Sequence, residues 1–127
     1  MQIKGPKRLV KRAVFMAVAL DLFDVNIRIK WGKTSWMETI PDGFLISVAR
    51  ETPKYYLSET VAHEMVHVRQ YVVGDLVDCT DGTTLWKGVV YETGEIGSDS
   101  YYLSPWEIEA RGMQEWLDIK WRTRVVH

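Results

Sequence analysis

Val61-Ala62-His63-Glu64-Met65-Val66-His67-Val68-Arg69-Gln70 sets two histidines four positions apart inside a run whose apolar residues recur every three or four. Leu57, Val61, Met65, Val68 and Val72 form the stripe and Gly74 stops it, so the spacing predicts a helix over Tyr55 to Val73. Side chains at i and i+4 leave one face of a helix, so His63 and His67 can reach a single ion without bending the backbone. Glu64 projects about 100° further round, beside the ion rather than in its ligand shell. Imidazoles and a carboxylate in a helix that is apolar nearly all round are costly to bury without a charge to answer them. A metal site is therefore expected; the alternative is a pair of ordinary solvated histidines.

Upstream, Lys7 to Phe23 has helical spacing, with Val10, Val14, Ala17, Val18 and Leu22 expected on the buried face. Asp24 to Trp31 alternates, Val25, Ile27, Ile29 and Trp31 against Asn26, Arg28 and Lys30, which predicts a half-buried strand. Ser35 to Ile40 reads as a second strand, and Pro41-Asp42-Gly43 as a turn into a third, Phe44 to Val48. The expected arrangement is an antiparallel meander of about three strands.

Downstream, Asp75 to Tyr102 is rich in Gly, Asp and Thr and reads as a long connection with one short hairpin around Leu85 to Tyr91. Trp86, Tyr91 and Trp106 are expected to pack as a small satellite cluster. Ser104-Pro105-Trp106-Glu107 has an N-cap residue, an N1 proline and an N3 glutamate in order. Ala110, Met113, Leu117 and Trp121 then share a face, so a last helix follows. The whole, residues 1 to 127, reads as a single α+β domain.

Composition narrows the partners. Lys plus Arg number 16 against 17 Asp plus Glu, for a formal net charge of -1, so neither a nucleic acid nor an anionic membrane is expected. The basic start, Lys4 to Arg12, leads into the apolar run Ala13 to Leu20, but that run is too short for a membrane span and has no small-residue cleavage site before Asp21. The single cysteine, Cys79, makes no internal disulfide, which fits a cytoplasmic protein. A monomer is favoured.

A catalytic zinc takes three protein ligands and lowers the pKa of its water to about 7, within reach of a carboxylate such as Glu64 acting as general base. The reaction class that follows is hydrolysis, most naturally of an amide. The third ligand must come from elsewhere. His127 ends the chain, where fraying makes a poor ligand. Glu107 and Glu109 flank the apolar stripe of the last helix on opposite sides, and periodicity does not choose between them. A competing role for Glu107 is a capping box with Ser104.

The motif from Val61 to Gln70, followed by Trp106-Glu107-Ile108-Glu109-Ala110, resembles the gluzincin group of zinc metallopeptidases, especially the small ones of phage and bacterial genomes. The resemblance is close in these two helices and loose elsewhere. It implies a minimal zincin-like α+β domain: an N-terminal helix, a small antiparallel sheet, an active-site helix and a C-terminal helix bearing the third ligand. It further implies Zn2+ held by His63, His67 and Glu107, with Glu109 in reserve, and cleavage of a peptide or protein substrate with Glu64 as base. The group's downstream glutamate lies in the pattern E-x-x-A, often followed by Asp or Asn. Glu107 to Ala110 fits this, but Arg111 stands in the next place, so Glu109 or Asp99 is expected to orient a histidine instead.

Such folds pair extended substrate with an edge strand, for which Phe44, Leu45, Ile46, Ser47 and Val48 are the candidates. Tyr91, Tyr101, Tyr102 and Arg111 are candidate donors to a developing oxyanion. Two other readings keep the same ligands: a catalytically silent zinc-binding regulator, and a hydrolase of non-peptide amides or esters.

Overall fold

The structure, a computed structural model, describes residues 1–92 and 99–124; His127 and the Asp99 side chain lie outside the described residues. The fold is α+β. In chain order the elements are β1 (Gln2–Lys4), α1 (Lys7–Ala19), β2 (Asn26–Gly32), β3 (Trp36–Ile40), β4 (Gly43–Ala49), a 3-10 turn (Lys54–Tyr56), α2 (Leu57–Val72), β5 (Leu76–Asp78), β6 (Thr83–Trp86), β7 (Val89–Glu92), α3 (Asp99–Tyr102) and α4 (Pro105–Arg122).

The main sheet is mixed, not the expected antiparallel meander. Its order is β1-β2-β4-β3, with β1 and β4 both parallel to β2 and only β3 antiparallel to its neighbour β4. The sequence of β4 explains its place. Phe44-Leu45-Ile46-Ser47-Val48 is apolar almost without alternation, as suits an internal strand with neighbours on both edges, whereas Trp36-Met37-Glu38-Thr39-Ile40 is mixed and takes the edge. Phe44 to Val48 is thus hydrogen-bonded on both sides and offers no free edge, so the expectation of a substrate strand there is corrected. Gly43 makes the close entry possible: its φ is +152°, and a Cβ there would stand 2.0 Å from the Asn26 carbonyl oxygen.

The core lies between this sheet and the helices. Ile27 and Ile29 of β2 and Ile46 and Val48 of β4 meet Leu9, Ala13, Met16 and Ala17 of α1 and Val61, Met65 and Val68 of α2. Of the expected face, Ala17 and Leu22 are buried and Val10 packs against the core, but the fully buried stripe of α1 runs through Leu9, Ala13, Met16 and Ala17, and Val18 is exposed. In the apolar run Ala13 to Leu20 two neighbouring stripes have equal spacing, and packing selects the one with Met16. The stripe of α2 is as expected up to Val68, while Val72, in the last turn, is exposed.

Helix α2 is covered nearly all round, Val66, His67 and Gln70 included. Its most extensive partner is α4, and the two run antiparallel: Ser58 meets Asp118, His63 meets Gln114, and Gln70 meets Trp106. This pairing brings the first turn of α4 to the last two turns of α2.

The connection after α2 carries more structure than its composition suggests. The predicted hairpin forms as β6 and β7, joined through Lys87 and Gly88, both at positive φ, as a two-residue turn of the I′ kind requires. Strand β5 adds antiparallel to β6. Strands of three or four residues are too short for alternation to announce them. Leu76, Trp86 and Trp106 form the satellite cluster, with Tyr71 and Tyr91 against it, so the expected aromatic group is present and fixes the small sheet to α4. Among the described residues no helix is long and apolar enough to cross a membrane.

Candidate metal centre

His63 and His67 stand one turn apart on α2, their rings nearly perpendicular at 82° and their Nε2 atoms 3.2 Å from each other. Glu107 enters from the first turn of α4, where the positive end of the helix favours a carboxylate. One of its oxygens lies 3.0 Å from Nε2 of His63 and the other 3.0 Å from Nε2 of His67. The three side chains form a cluster able to hold a metal ion. The capping box is not made: the Ser104 hydroxyl donates to the Tyr101 carbonyl, and Ser104 makes no side-chain cap.

The hydrogen bonds behind the rings fix their tautomers. The Gln70 amide nitrogen donates to the Trp106 carbonyl at 2.9 Å and to Glu109 at 3.2 Å, so its oxygen is the atom turned to Nδ1 of His67, 2.7 Å away. That nitrogen must carry a hydrogen. Nδ1 of His63 lies 2.6 Å from the Gln114 amide oxygen, an acceptor for a hydrogen on that nitrogen. In the neutral rings both Nε2 atoms therefore present lone pairs to each other and to a carboxylate. Among the described residues no Lys or Arg pairs with Glu107. Such a set of acceptors calls for a cation, and two imidazoles with one carboxylate is a donor set that suits zinc.

In the metal-free chain a proton meets this need. Burial opposes the charge on His67, but the hydrogen bond and charge of Glu107, with the charge of Glu64, outweigh it and raise the imidazole pKa. Burial also opposes the charge on Glu107, yet the hydrogen bonds from His63 and His67 hold its carboxyl well below the usual range. The two shifts agree in direction: each favours a charged imidazole beside an ionised carboxylate.

Glu64 is buried beside the cluster. Burial raises its pKa, the Glu107 charge adds to the rise, and the two histidines oppose it. Glu64, His63, His67, Glu107 and Tyr101 line one cleft of about 470 Å3, whose rim includes Ser35, Trp36 and Met37 on one side and Tyr71 and Asp78 on the other. Of the four candidate oxyanion donors, Tyr101 alone reaches this cleft. Its phenol is pushed up to about 12, first by burial and then by the charge and hydrogen bond of Glu107.

The other three lie elsewhere. Tyr102 is exposed, with the Arg111 guanidinium 3.7 Å over its ring, and Arg111 donates to the Tyr102 carbonyl. Tyr91 packs edge-on against Trp106. Glu109, the reserve ligand, stays out of the cluster and accepts from Gln70. It orients His67 through that glutamine rather than directly. Gln70 and Gln114 are site residues that the sequence reading missed. Gln70 is three residues after His67, and Gln114 seven after Glu107, so helical spacing placed each on the right face. No protein-family model, curated protein or solved structure matches the chain.

Proposed function

We propose that the chain is a zinc-dependent metallopeptidase of the gluzincin type, with His63, His67 and Glu107 as ligands and Glu64 as general base. The observation that carries this reading is the convergence, in one cleft, of a triad able to hold a metal ion and a buried carboxylate with a raised pKa. Zinc supplies a Lewis acid that polarises a carbonyl and acidifies water. Glu64 takes a proton from water as its oxygen attacks the scissile carbon, then returns that proton to the amide nitrogen as the C–N bond breaks. Tyr101 donates its phenolic hydrogen to the oxygen that gains charge.

A peptide is favoured over a small substrate by β3. Among the described residues it is an edge strand, paired with β4 alone, and its first residues Trp36 and Met37 line the cleft. An extended chain can add to such an edge through backbone hydrogen bonds.

The test is incubation of the zinc-loaded chain, and of its Glu64→Gln variant, with a randomised peptide library read by mass spectrometry. Cleavage by the parent, with zinc retained but cleavage reduced at least about 100-fold in the variant, is the expected result. Full activity of Glu64→Gln overturns the mechanism. Zinc binding without hydrolysis identifies a binding protein on this scaffold, and hydrolysis confined to non-peptide amides or esters moves the substrate class.

A further inference from the structure

Two glutamines stand behind the two histidines, one from each helix. Gln70 on α2 has no exposed surface, and its amide nitrogen is held by two acceptors, the Trp106 carbonyl and Glu109. Its oxygen is left for Nδ1 of His67. Gln114 on α4 is half-buried and sets its oxygen 2.6 Å from Nδ1 of His63. A histidine that binds metal through Nε2 must carry its hydrogen on Nδ1, and the group that accepts this hydrogen fixes both tautomer and ring angle. Here both acceptors are neutral amides.

We propose that Gln70 and Gln114 are positioning residues for the metal, locking both imidazoles in the Nδ1–H tautomer so that the two Nε2 lone pairs aim at one point beside Glu107. The inference rests on the metal part of the function proposed above and not on hydrolysis. A neutral acceptor orients the ring without adding charge, so Glu107 is the one anionic ligand and a divalent ion keeps a net positive charge toward its fourth ligand. The arrangement is asymmetric. His67 is linked through Gln70 to the Glu109 carboxylate, whereas for His63 only the amide of Gln114 is present at Nδ1. His67 is therefore the more polarised of the two ligands.

Gln114 is the position at which to test this, because its side chain does not also hold a buried carbonyl. Methionine keeps its length and helix preference but removes the acceptor; glutamate restores the acceptor and adds charge. Zinc affinity measured by chelator competition should fall about 10–100-fold in Gln114→Met and return to the parent value or tighten in Gln114→Glu. Nitrogen-15 NMR of the metal-free parent, at a pH where both rings are neutral, should show Nδ1–H for both histidines, and Gln114→Met should lose it for His63 alone. A packing role would move neither the tautomer nor the rescue by glutamate. Parent-like zinc affinity in Gln114→Met, or an Nε2–H tautomer in the parent, overturns the inference. A parent that binds no zinc overturns the metal reading and this inference with it.

Discussion

Nε2 of His63 and Nε2 of His67 lie 3.2 Å apart while the other nitrogen of each ring donates to a glutamine oxygen. Two lone pairs held this close repel unless a cation stands between them and the Glu107 carboxylate. A proton on His67 answers the carboxylate in the metal-free chain, and a bound metal ion would take that proton's place. Zinc at about 100 times its dissociation constant should stabilise the chain by about 2.7 kcal/mol, a rise in Tm of roughly 10 °C for a domain of this size. Calorimetry with and without zinc measures it, and His63→Ala should abolish the increment.

The pH dependence has opposite signs in the two forms. The folded pKa of His67 is raised above its ordinary 6.5, so its contribution is complete below 6.5 and lost as pH rises through the folded value. The folded pKa of Glu107 is depressed below its ordinary 4.5, so its contribution is present above 4.5 and lost as pH falls through the folded value. Glu64, with a raised folded pKa, disfavours folding increasingly as pH climbs above 4.5. The metal-free chain should accordingly be most stable in mild acid and weaken toward alkaline pH. Zinc needs the proton gone, so its stabilising increment should be larger at pH 8 than at pH 6. Urea midpoints at the two pH values, with zinc and with chelator, check both signs.

Tyr101 donates to Glu107 in the metal-free chain and lines the cleft that substrate would enter. If the phenol serves the oxyanion, Tyr101→Phe should lower kcat by about 100-fold with KM little changed. Zinc affinity should stay near that of the parent, since no metal ligand is removed. Steady-state kinetics on a peptide identified by the library screen, paired with chelator competition, separates this from a role in holding Glu107.

The far end of the α2–α4 pair provides a control. Asp118 accepts from the buried Ser58 hydroxyl of α2 and from Arg122 one turn on, tying the start of α2 to the end of α4. It lies about 16 Å along α4 from Glu107. Asp118→Ala should cost about 1–3 kcal/mol of stability by stripping these partners, and leave zinc affinity unchanged because distant sites act independently. Denaturant unfolding and chelator competition on the same variant report the two quantities.

How much of this could be read from the chain differs by element. Two histidines and a glutamate at helical spacing declare themselves within one turn, and so does the proline-led start of α4. The order of the main sheet did not, because strand adjacency in sequence suggests a meander, whereas the apolar β4 lies between β2 and β3 and the mixed β3 is left at the edge. The near-continuous apolar run of β4 carried that information; its lack of alternation marked a central strand. Gln70 and Gln114 stayed hidden for another reason. An amide becomes a site residue only through a partner on another helix, and no periodicity within one helix shows which helix will face it.

The choice of third ligand separates Glu107 from Glu109 in a way that a single pair of variants can decide. Both are carboxylates near the start of α4, yet Glu107 touches the two Nε2 atoms at 3.0 Å while Glu109 reaches only the amide of Gln70. Removing the charge of a direct ligand takes away one of three protein donors. Removing the charge behind Gln70 merely weakens the polarisation of His67. Glu107→Gln should therefore lose zinc affinity by well over 100-fold, whereas Glu109→Gln should stay within the roughly 10–100-fold that outer partners of a ligand contribute. Cobalt substitution adds a second readout: absorption typical of a four-coordinate ion should survive in Glu109→Gln and vanish or change form in Glu107→Gln. If the two variants exchange these behaviours, the ligand is Glu109, and the first turn of α4 must rotate to present it.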